Sequence, residues 1–302
     1  MEAARKFCAA ENRWKLTLME ESNFKFLKGK VRTGSALGIQ SDTVTIDRYN
    51  ELKKALPGVK FVHLSSEIAD IATQKLDNEI ANIRNAACVG DMALGALLPL
   101  VKKSMTELEL ARILENLCAE RGSEKPAFDT IVLFGERAAL PHGRPGSREL
   151  KEGDFILIDF GCTVGGFRSD MTRTFVFGSA SEEQRKVYDS VLSAQRCARL
   201  AARAGMTGAQ LDAVARSAIA ESGYGEYFGH AAGHGVGLRV HEKPRLHKNN
   251  NDPLPENSVV TIEPGIYIPD FGGVRIEDMV VLHKDGADDI TYSPRKLIEL
   301  SL

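Results

Sequence analysis

The sequence lacks several features that would point to whole classes of protein. It has no excess of basic residues, since 39 lysines and arginines balance 41 aspartates and glutamates, and binding to a nucleic-acid backbone needs a basic surface. No stretch reaches the roughly 18 uncharged apolar residues of a membrane span, and the N-terminus has no apolar core of a signal peptide. We therefore expect a cytoplasmic protein with no nucleic-acid partner and no membrane partner.

Cysteine is scarce, and its spacing suggests no shared site. The five cysteines lie far apart, and none forms a Cys-x-x-Cys pair. This pattern disfavours a disulfide framework or a thiolate zinc site and fits a reducing compartment. The remaining composition, 43% hydrophobic and 26% charged residues, is typical of a soluble globular protein. A chain of 302 residues is long enough for one large domain and a small one.

The first 67 residues carry a weaker pattern than the rest. Residues 41–47 alternate like a β-strand, the RYNELKKAL segment that follows has helical spacing, and a second strand-like run begins at Lys60. We expect a short α/β remnant at residues 1–67 and a larger catalytic domain at residues 68–302.

The larger region repeats one order of elements. A long helical stretch from about Lys75 to Lys102 precedes a helix that starts at Thr106, with a capping box completed by Glu109. A second pair of capped helices starts after Ser181 and Thr207. In each half, apolar strand segments follow the helices. The repeated order predicts two similar halves.

A direct alignment of the halves supports this duplication. A shift of 101 residues matches six of eighteen positions, among them Thr106 with Thr207 and Gly122 with Gly223. Duplicated halves are expected to pack about a pseudo-twofold axis, with a cleft where they meet.

The strand segments of the first half carry two aspartates. A hairpin turn centred between Val164 and Gly165 would place Asp159 directly opposite Asp170. Directly opposed side chains have Cβ atoms about 4.5 to 5.5 Å apart, and like charges at that distance are destabilising unless a cation compensates. The alternative is a pair of turn-flanking acids that point into solvent.

The second half repeats this arrangement with glutamates. A turn centred on Asp270 places Glu263 opposite Glu277, and each lies in an apolar run. An uncompensated carboxylate buried there would cost several kcal/mol. The alternative is that Glu277 simply pairs with Arg275. Four acids around one cleft instead favour two cations that share carboxylate ligands.

An imidazole ligand has to come from another segment. The run GHAAGHGVGLRVHEKP supplies His230, His234 and His241, separated by glycines that allow close approach to a metal. His142, in LPHGRP, precedes the first hairpin and is a candidate for contact with the substrate.

These segments resemble the metal-site signature of the aminopeptidase P and prolidase family of Xaa-Pro peptidases. The matching runs are DFGC with GGFRSDMTRTF, then GHAAGHGVGLRVHEKP, TIEPGIYI and GGVRIED, and the likeness extends from about residue 70 to the end. The resemblance implies an α+β fold of the duplicated pita-bread (creatinase/aminopeptidase) type, preceded by the short N-terminal α/β remnant. It also implies two divalent metal ions, Mn²⁺ or Co²⁺, with Zn²⁺ or Fe²⁺ as alternatives.

The resemblance further implies roles for individual side chains. Glu263 would be both ligand and acid-base group, His142 and His241 would stabilise the oxyanion, and His230 would contact the proline side of the substrate. The sequence itself suggests Arg275 as a structural partner of the carboxylates and as a candidate substrate contact. The implied metal ligands are Asp159, Asp170, His234, Glu263 and Glu277.

The implied reaction is hydrolysis of the peptide bond that precedes proline in a proline-containing peptide. Two alternatives stay open, namely a methionine-aminopeptidase-like enzyme and a catalytically inactive pita-bread binding scaffold. Family members carry a larger N-terminal domain than the 67 residues expected here. This departure leaves open the preferred substrate length and whether the chain forms a homodimer.

Overall fold

The computed structural model describes residues 23–301, and the chain divides into two compact units between Ala69 and Asp70. The first 22 residues of the predicted N-terminal segment lie outside the described part. The elements up to residue 73 are α1 (Asn23–Leu27), β1 (Ala36–Ile39), α2 (Ile46–Ala55), β2 (Lys60–His63) and α3 (Ser65–Thr73). Strands β1 and β2 pair in parallel.

The strand predicted at residues 41–47 is wrong, whereas the helix after it and the strand from Lys60 are confirmed. Thr45 is the N-cap of α2, and its hydroxyl oxygen accepts a hydrogen bond from the Arg48 amide at 3.3 Å. Asp47 lies in the first turn, where the helix dipole favours a negative charge. The alternating β-branched residues of this segment favour a strand, but the capping interactions at its end favour the start of a helix, and the helix forms.

The predicted capped helices of the larger unit are confirmed. Thr106, Ser181 and Thr207 each accept a hydrogen bond from the backbone three residues on, and each capping box is complete. The helices are α4 (Asp77–Leu97), α5 (Glu107–Glu120), α6 (Glu182–Ala201) and α7 (Gly208–Glu221), with short 3-10 turns at Leu98–Leu100, Gly135–Ala139 and Gly225–Tyr227.

Both halves of the larger unit use one strand topology. The first-half strands are β3 (Ile131–Phe134), β4 (Phe155–Phe160), β5 (Thr163–Val164), β6 (Phe167–Arg168) and β7 (Met171–Phe177). The later strands are β8 (Gly233–Gly235), β9 (Glu242–Leu246), β10 (Val259–Ile262), β11 (Gly265–Ile268), β12 (Gly272–Arg275), β13 (Asp278–His283), β14 (Gly286–Asp289) and β15 (Glu299–Leu300). In the first half, β3, β4 and β7 form an antiparallel set, and the small hairpin β5–β6 is inserted before β7. In the second half, β8, β10 and β13 form the equivalent set, and hairpin β11–β12 is inserted before β13.

The alternation of side chains along β4 directs one acid towards the second half. Ile156 and Ile158 pack in the core formed with α4 and α5, whereas Phe155 and Leu157 pack in the core that contains α6 and α7. Asp159 continues the second set, because side chains two residues apart lie on the same face of a strand.

Direct opposition of Asp159 and Asp170 is wrong. Asp159 lies opposite Thr172, and the turn between β5 and β6 is centred on Gly165–Gly166, one residue later than predicted. Both glycines have positive φ, 58° and 78°, as a two-residue type I′ turn requires. The partner of Asp159 is thus two residues further along the chain than predicted. Because side chains two residues apart share a face, Asp170 still lies on the same face as Asp159, diagonal to it.

The register predicted for the second half is confirmed. Strands β10 and β13, and strands β11 and β12, share the pairing that places Glu263 opposite Glu277. Both glutamates lie in the gap between these two ladders. Their amides donate instead to neighbouring segments, Glu263 to the Ala232 carbonyl at 2.9 Å and Glu277 to the Thr172 carbonyl at 3.1 Å.

The region from Asp77 to Leu100 is long and apolar enough to cross a membrane by length and composition. One face of α4 is nevertheless buried in the protein, with Ile83, Leu94 and Leu97 at 2% exposure or less. A core helix meets the same criteria, so they support no membrane assignment here.

A fully buried ion pair joins the strands that carry the acids. Arg173 Nη2 donates to Asp278 Oδ1 at 2.6 Å, and both side chains are inaccessible to solvent. Burial alone would raise the pKa of Asp278, but Arg173 and Arg295 outweigh it and the pKa is lowered. Arg173 Nη1 also donates to the carbonyls of Thr172 and Glu277, at 2.9 and 2.5 Å.

We expect Asp278→Asn to lower the free energy of unfolding by about 3 to 5 kcal/mol, because it leaves Arg173 as an uncompensated buried charge. Urea unfolding of the metal-free protein measures this. As a control, Arg185→Gln removes an exposed pair with Glu299 and should change stability by less than about 1 kcal/mol. A loss below about 1 kcal/mol for Asp278→Asn would contradict the interpretation.

Candidate metal centre

The gap between the two halves collects an imidazole and several carboxylates. Ligand atoms of Asp170, His234 and Glu277 all lie within 4.8 Å of one another. His234 Nε2 is also 3.4 Å from Glu263 Oε1 and 3.6 Å from Asp170 Oδ2. Four of the five predicted ligands therefore face one point in the described structure.

The backbone around His234 is set by a close strand crossing. A Cβ atom on Gly233 would lie only 2.0 Å from the Thr261 carbonyl oxygen, so this approach of β8 to β10 requires glycine. The His234 amide donates to Thr261 Oγ1 at 3.0 Å, and that hydroxyl donates to Glu263 Oε1 at 3.2 Å. One threonine thus connects the histidine to the neighbouring carboxylate.

The orientation of the His234 ring exposes a lone pair to the acids. Its Nδ1 lies 3.1 Å from the Gly235 carbonyl, which can only accept, so Nδ1 carries the proton. Burial is the main cause that lowers the pKa of His234, and the ring is neutral at neutral pH. Its Nε2 lone pair faces carboxylate oxygens, and a cation bound between them would satisfy both.

Asp159, the fifth predicted ligand, is held by Arg275. Arg275 Nη2 donates to Asp159 Oδ2 at 2.6 Å, while Asp159 Oδ1 is buried without a hydrogen-bond partner among the described residues. A buried acceptor of this kind costs free energy unless a ligand satisfies it. The orphaned oxygen therefore fits a metal ligand.

Arg275 is 3% exposed and links the two halves. Besides Asp159 it donates to Thr172 Oγ1 at 2.9 Å and to the Tyr267 hydroxyl at 2.7 Å. Thr172 in turn donates to Glu277 Oε2 at 2.6 Å. These contacts place Arg275 behind the carboxylates and support its interpretation as their partner; its role as a substrate contact stays a prediction.

The buried carboxylates repel one another. The pKa of Asp170 is raised well above its usual range, first by burial and then by Glu277, Asp159 and Glu263. Burial is also the first cause that raises the pKa of Glu277 and of Glu263. The positive charge of Arg275 lowers the pKa of all three acids, but by less than burial raises it. The donor set of four carboxylates and one imidazole thus fits two divalent cations.

The other predicted histidines surround this cluster. The ring of His241 is exposed and meets the ring of His234 edge to face, with centroids 4.4 Å apart. His230 Nε2 is 2.9 Å from the Tyr267 hydroxyl. His142 is exposed, and its charge contributes to the lowering of the pKa of His230, of which burial is the main cause. His241 therefore contacts a candidate ligand, whereas His142 is placed only by its effect on His230.

Sequence reasoning missed three hydroxyl residues of the site. Thr172 follows Asp170 by two positions, and Thr261 precedes Glu263 by two, so the alternation along each strand was an available signal. No pattern in the sequence indicated Tyr267, because its hydroxyl contacts Arg275 and His230, and His230 lies on a loop distant in sequence.

Comparison with known proteins agrees with this geometry. The model of metallopeptidase family M24 matches residues 81–284, and the model of the creatinase/prolidase N-terminal domain matches residues 2–71. The Xaa-Pro dipeptidase of Pyrococcus horikoshii is 43% identical over 263 residues, which cover 87% of this chain and 75% of that protein.

Solved structures show the same likeness. The X-Pro aminopeptidase from Thermotoga maritima superposes with a TM-score of 0.91 at 36% identity, over 99% of this chain and 86% of that one. The Xaa-Pro dipeptidase from Bacillus anthracis gives a TM-score of 0.93 at 36% identity, over 99% and 84% of the two chains. The duplicated fold expected from the sequence is thereby confirmed.

We expect Asp170→Asn to stabilise the metal-free protein by about 1 to 3 kcal/mol at neutral pH, because it removes a buried charge that its neighbours repel. Urea unfolding after dialysis against a chelator measures the effect. The folded state has the raised pKa, so it binds more protons than the unfolded state and the wild type gains stability as the pH falls. The advantage of the variant should therefore shrink towards about pH 4.

Added Mn²⁺ should reverse the order of stability, because the wild type binds the ion in its folded state and the variant has lost a ligand. Asp285→Asn, at an exposed position, serves as the control and should change neither measurement. A metal-free Asp170→Asn protein that is less stable than the metal-free wild type would show that repulsion does not dominate the cluster.

Proposed function

The chain belongs to metallopeptidase family M24, and from this premise we propose that it is a dinuclear metal-dependent exopeptidase that hydrolyses the peptide bond before proline. The observation that carries the proposal is the neutral His234 ring, whose lone pair faces carboxylate oxygens of Asp170 and Glu263 at 3.4 to 3.6 Å. The names of the relatives supply the preference for proline.

The residues present fit two cations, which Asp159, Asp170, His234, Glu263 and Glu277 would hold. When bound, such ions polarise a carbonyl group and lower the pKa of a water molecule towards neutrality. We propose Mn²⁺ or Co²⁺, because oxygen ligands predominate. The cytoplasmic location and the homodimer stay predictions.

The chain itself supplies the proton transfer and the polar contacts. Burial raises the pKa of Glu263, so this carboxylate is suited to take up a proton from the attacking water and deliver it to the leaving nitrogen. His142 and His241, both exposed, would donate hydrogen bonds to the carbonyl oxygen as its negative charge grows. His230, backed by Tyr267, would contact the proline side.

An exposed cation beside the site favours a short substrate. Arg245 lies directly opposite His234 in the pairing of β8 with β9, so the two side chains share one face. Burial is the main cause that lowers the pKa of His234 and of His241, and the charge of Arg245 contributes in both cases. A cation at this position is suited to the free carboxylate of a dipeptide, and we propose that Xaa-Pro dipeptides are preferred.

The primary test compares an Xaa-Pro dipeptide, an Xaa-Pro tripeptide and a Met-initiated peptide without proline, each with the Mn²⁺-loaded protein. We expect hydrolysis of the Xaa-Pro peptides only. His234→Ala should abolish it and reduce bound metal, because it removes the imidazole ligand.

Two other results would each overturn the proposal. Cleavage of the Met-initiated peptide alone would identify a methionine-aminopeptidase-like enzyme. Less than one equivalent of bound metal after reconstitution, together with no hydrolysis, would identify an inactive scaffold.

The proposed role of Arg245 has a separate test. Arg245→Gln should raise KM for an Xaa-Pro dipeptide by about tenfold, since a charge-assisted hydrogen bond is worth roughly 1.5 to 3 kcal/mol. KM for the same dipeptide with an amidated C-terminus should change by less than about twofold. Lys248→Gln removes an exposed cation after β9 and should affect neither substrate. Equal losses for the acid and the amide would exclude carboxylate recognition by Arg245.

A further inference from the structure

The segment that carries His230 runs between helix α7 and strand β8 and contains one short 3-10 turn, Gly225–Tyr227. A loop without ladder hydrogen bonds needs other contacts to hold an imidazole in place. The ring of His230 is fixed by Tyr267 at 2.9 Å and by the Ala231 carbonyl at 2.8 Å. The Ala232 amide donates to the Leu246 carbonyl at 2.9 Å, and the backbone before it is held by side chains of α7.

Arg216 of α7 holds this loop by its carbonyl groups. Its Nη1 donates to the Phe228 carbonyl at 2.9 Å, and its Nη2 donates to the His230 carbonyl at 2.8 Å. The guanidinium carbon lies 4.3 Å from the centroid of the Phe228 ring, and that ring meets His230 edge to face at 5.1 Å. One guanidinium therefore contacts the loop on both sides of Gly229.

Asp212, one turn earlier on α7, fixes Arg216 in turn. The two side chains form a bidentate pair, with both hydrogen bonds at 2.8 Å. Asp212 is 1% exposed, and its Oδ1 also accepts from the Ala232 amide at 3.0 Å. The pair thus binds the loop at three points from Phe228 to Ala232, which lies two residues ahead of the candidate ligand His234.

The first half holds its histidine loop by a similar device. Glu107 is fully buried, pairs with Arg137 at 3.0 Å and accepts from the Gly146 amide at 2.8 Å. Arg137 donates to the Arg144 carbonyl at 2.7 Å, in the loop that contains His142. The carboxylate and the arginine come from non-equivalent positions in the two halves, so duplication of the sequence alone does not account for both pairs.

We propose that Asp212 and Arg216 are positioning residues for the hydrolysis, which act by setting the location of His230 relative to the candidate metal centre. The inference rests on the proposed function, because it takes His230 as a substrate contact. If the pair were purely structural, its substitution would lower activity by the same factor whether or not His230 is present. If the pair positions His230, its substitution should have little effect on activity once the imidazole has been removed.

A double-mutant cycle with the Mn²⁺-loaded protein and an Xaa-Pro dipeptide separates these roles. We expect Arg216→Gln to lower kcat/KM by about tenfold in the wild type, because a small displacement of a substrate contact is costly. In the His230→Ala background the same change should lower kcat/KM by less than about twofold. Bound metal should stay at the wild-type level, and Arg216→Lys, which keeps the charge but not the planar fork, should give an intermediate loss.

The control is Arg148→Gln, which removes two ion pairs of another arginine, those with Asp154 and Glu136. It should lower thermal stability and leave kcat/KM within about twofold. If Arg216→Gln fails to fold, the cycle is run with Asp212→Asn, which keeps the side-chain shape.

Equal losses from Arg216→Gln in both backgrounds, or no loss in the wild type, would overturn the positioning role while leaving the proposed function intact. A wild-type protein that binds metal but does not hydrolyse any Xaa-Pro peptide would overturn the proposed function, and this inference with it.

Discussion

Mutual repulsion among four carboxylates, three of them buried and Glu263 partly buried, is the constraint on which the rest of the larger unit depends. Each half contributes two acids from strand ends, and all four converge where the halves meet. Arg275 offsets part of this charge at Asp159, yet the pKa of Asp170 and that of Glu277 stay raised because burial and the neighbouring acids outweigh it. The cluster is stable as a set of anions only if cations occupy it.

The two buried arginines near the cluster have different roles. Arg173 pairs with Asp278 and binds the carbonyls of Thr172 and Glu277, so it joins the backbones of the two halves. Arg275 reaches the functional side chains themselves. One arginine therefore fixes where the strands lie, and the other fixes how the carboxylates are oriented and how much of their charge is compensated.

The sequence predicted local features well because their determinants are local. The capping boxes at Thr106, Ser181 and Thr207 need only residues three apart, and each is formed. The first hairpin register was wrong because the choice between neighbouring turn positions depended on which residues tolerate positive φ, a condition that the pair Gly165–Gly166 meets. The error left the acids on one face, because a displacement by two residues preserves the side-chain alternation.

What the sequence could not predict is long-range. The contact of Arg275 with Asp159 spans 116 positions, and that of Thr172 with Glu277 spans 105. No periodicity within a segment reports such a pairing. The same holds for Tyr267, whose hydroxyl joins Arg275 to His230 and which reads in the sequence as one more apolar strand residue.

Two of the candidate ligands, Glu263 and Glu277, lie at an interruption of regular structure. A carboxylate inside a continuous ladder would have its backbone fixed by the neighbouring strands, and its side chain would be aimed at one face only. Glu263 and Glu277 instead occupy the gap between two ladders of one register, where their amides bind segments of other strands. The apolar strands on either side supply stability, so the gap can hold these two repelling charges. Asp159 and His234 reach the same site from within paired strands, opposite Thr172 and Arg245.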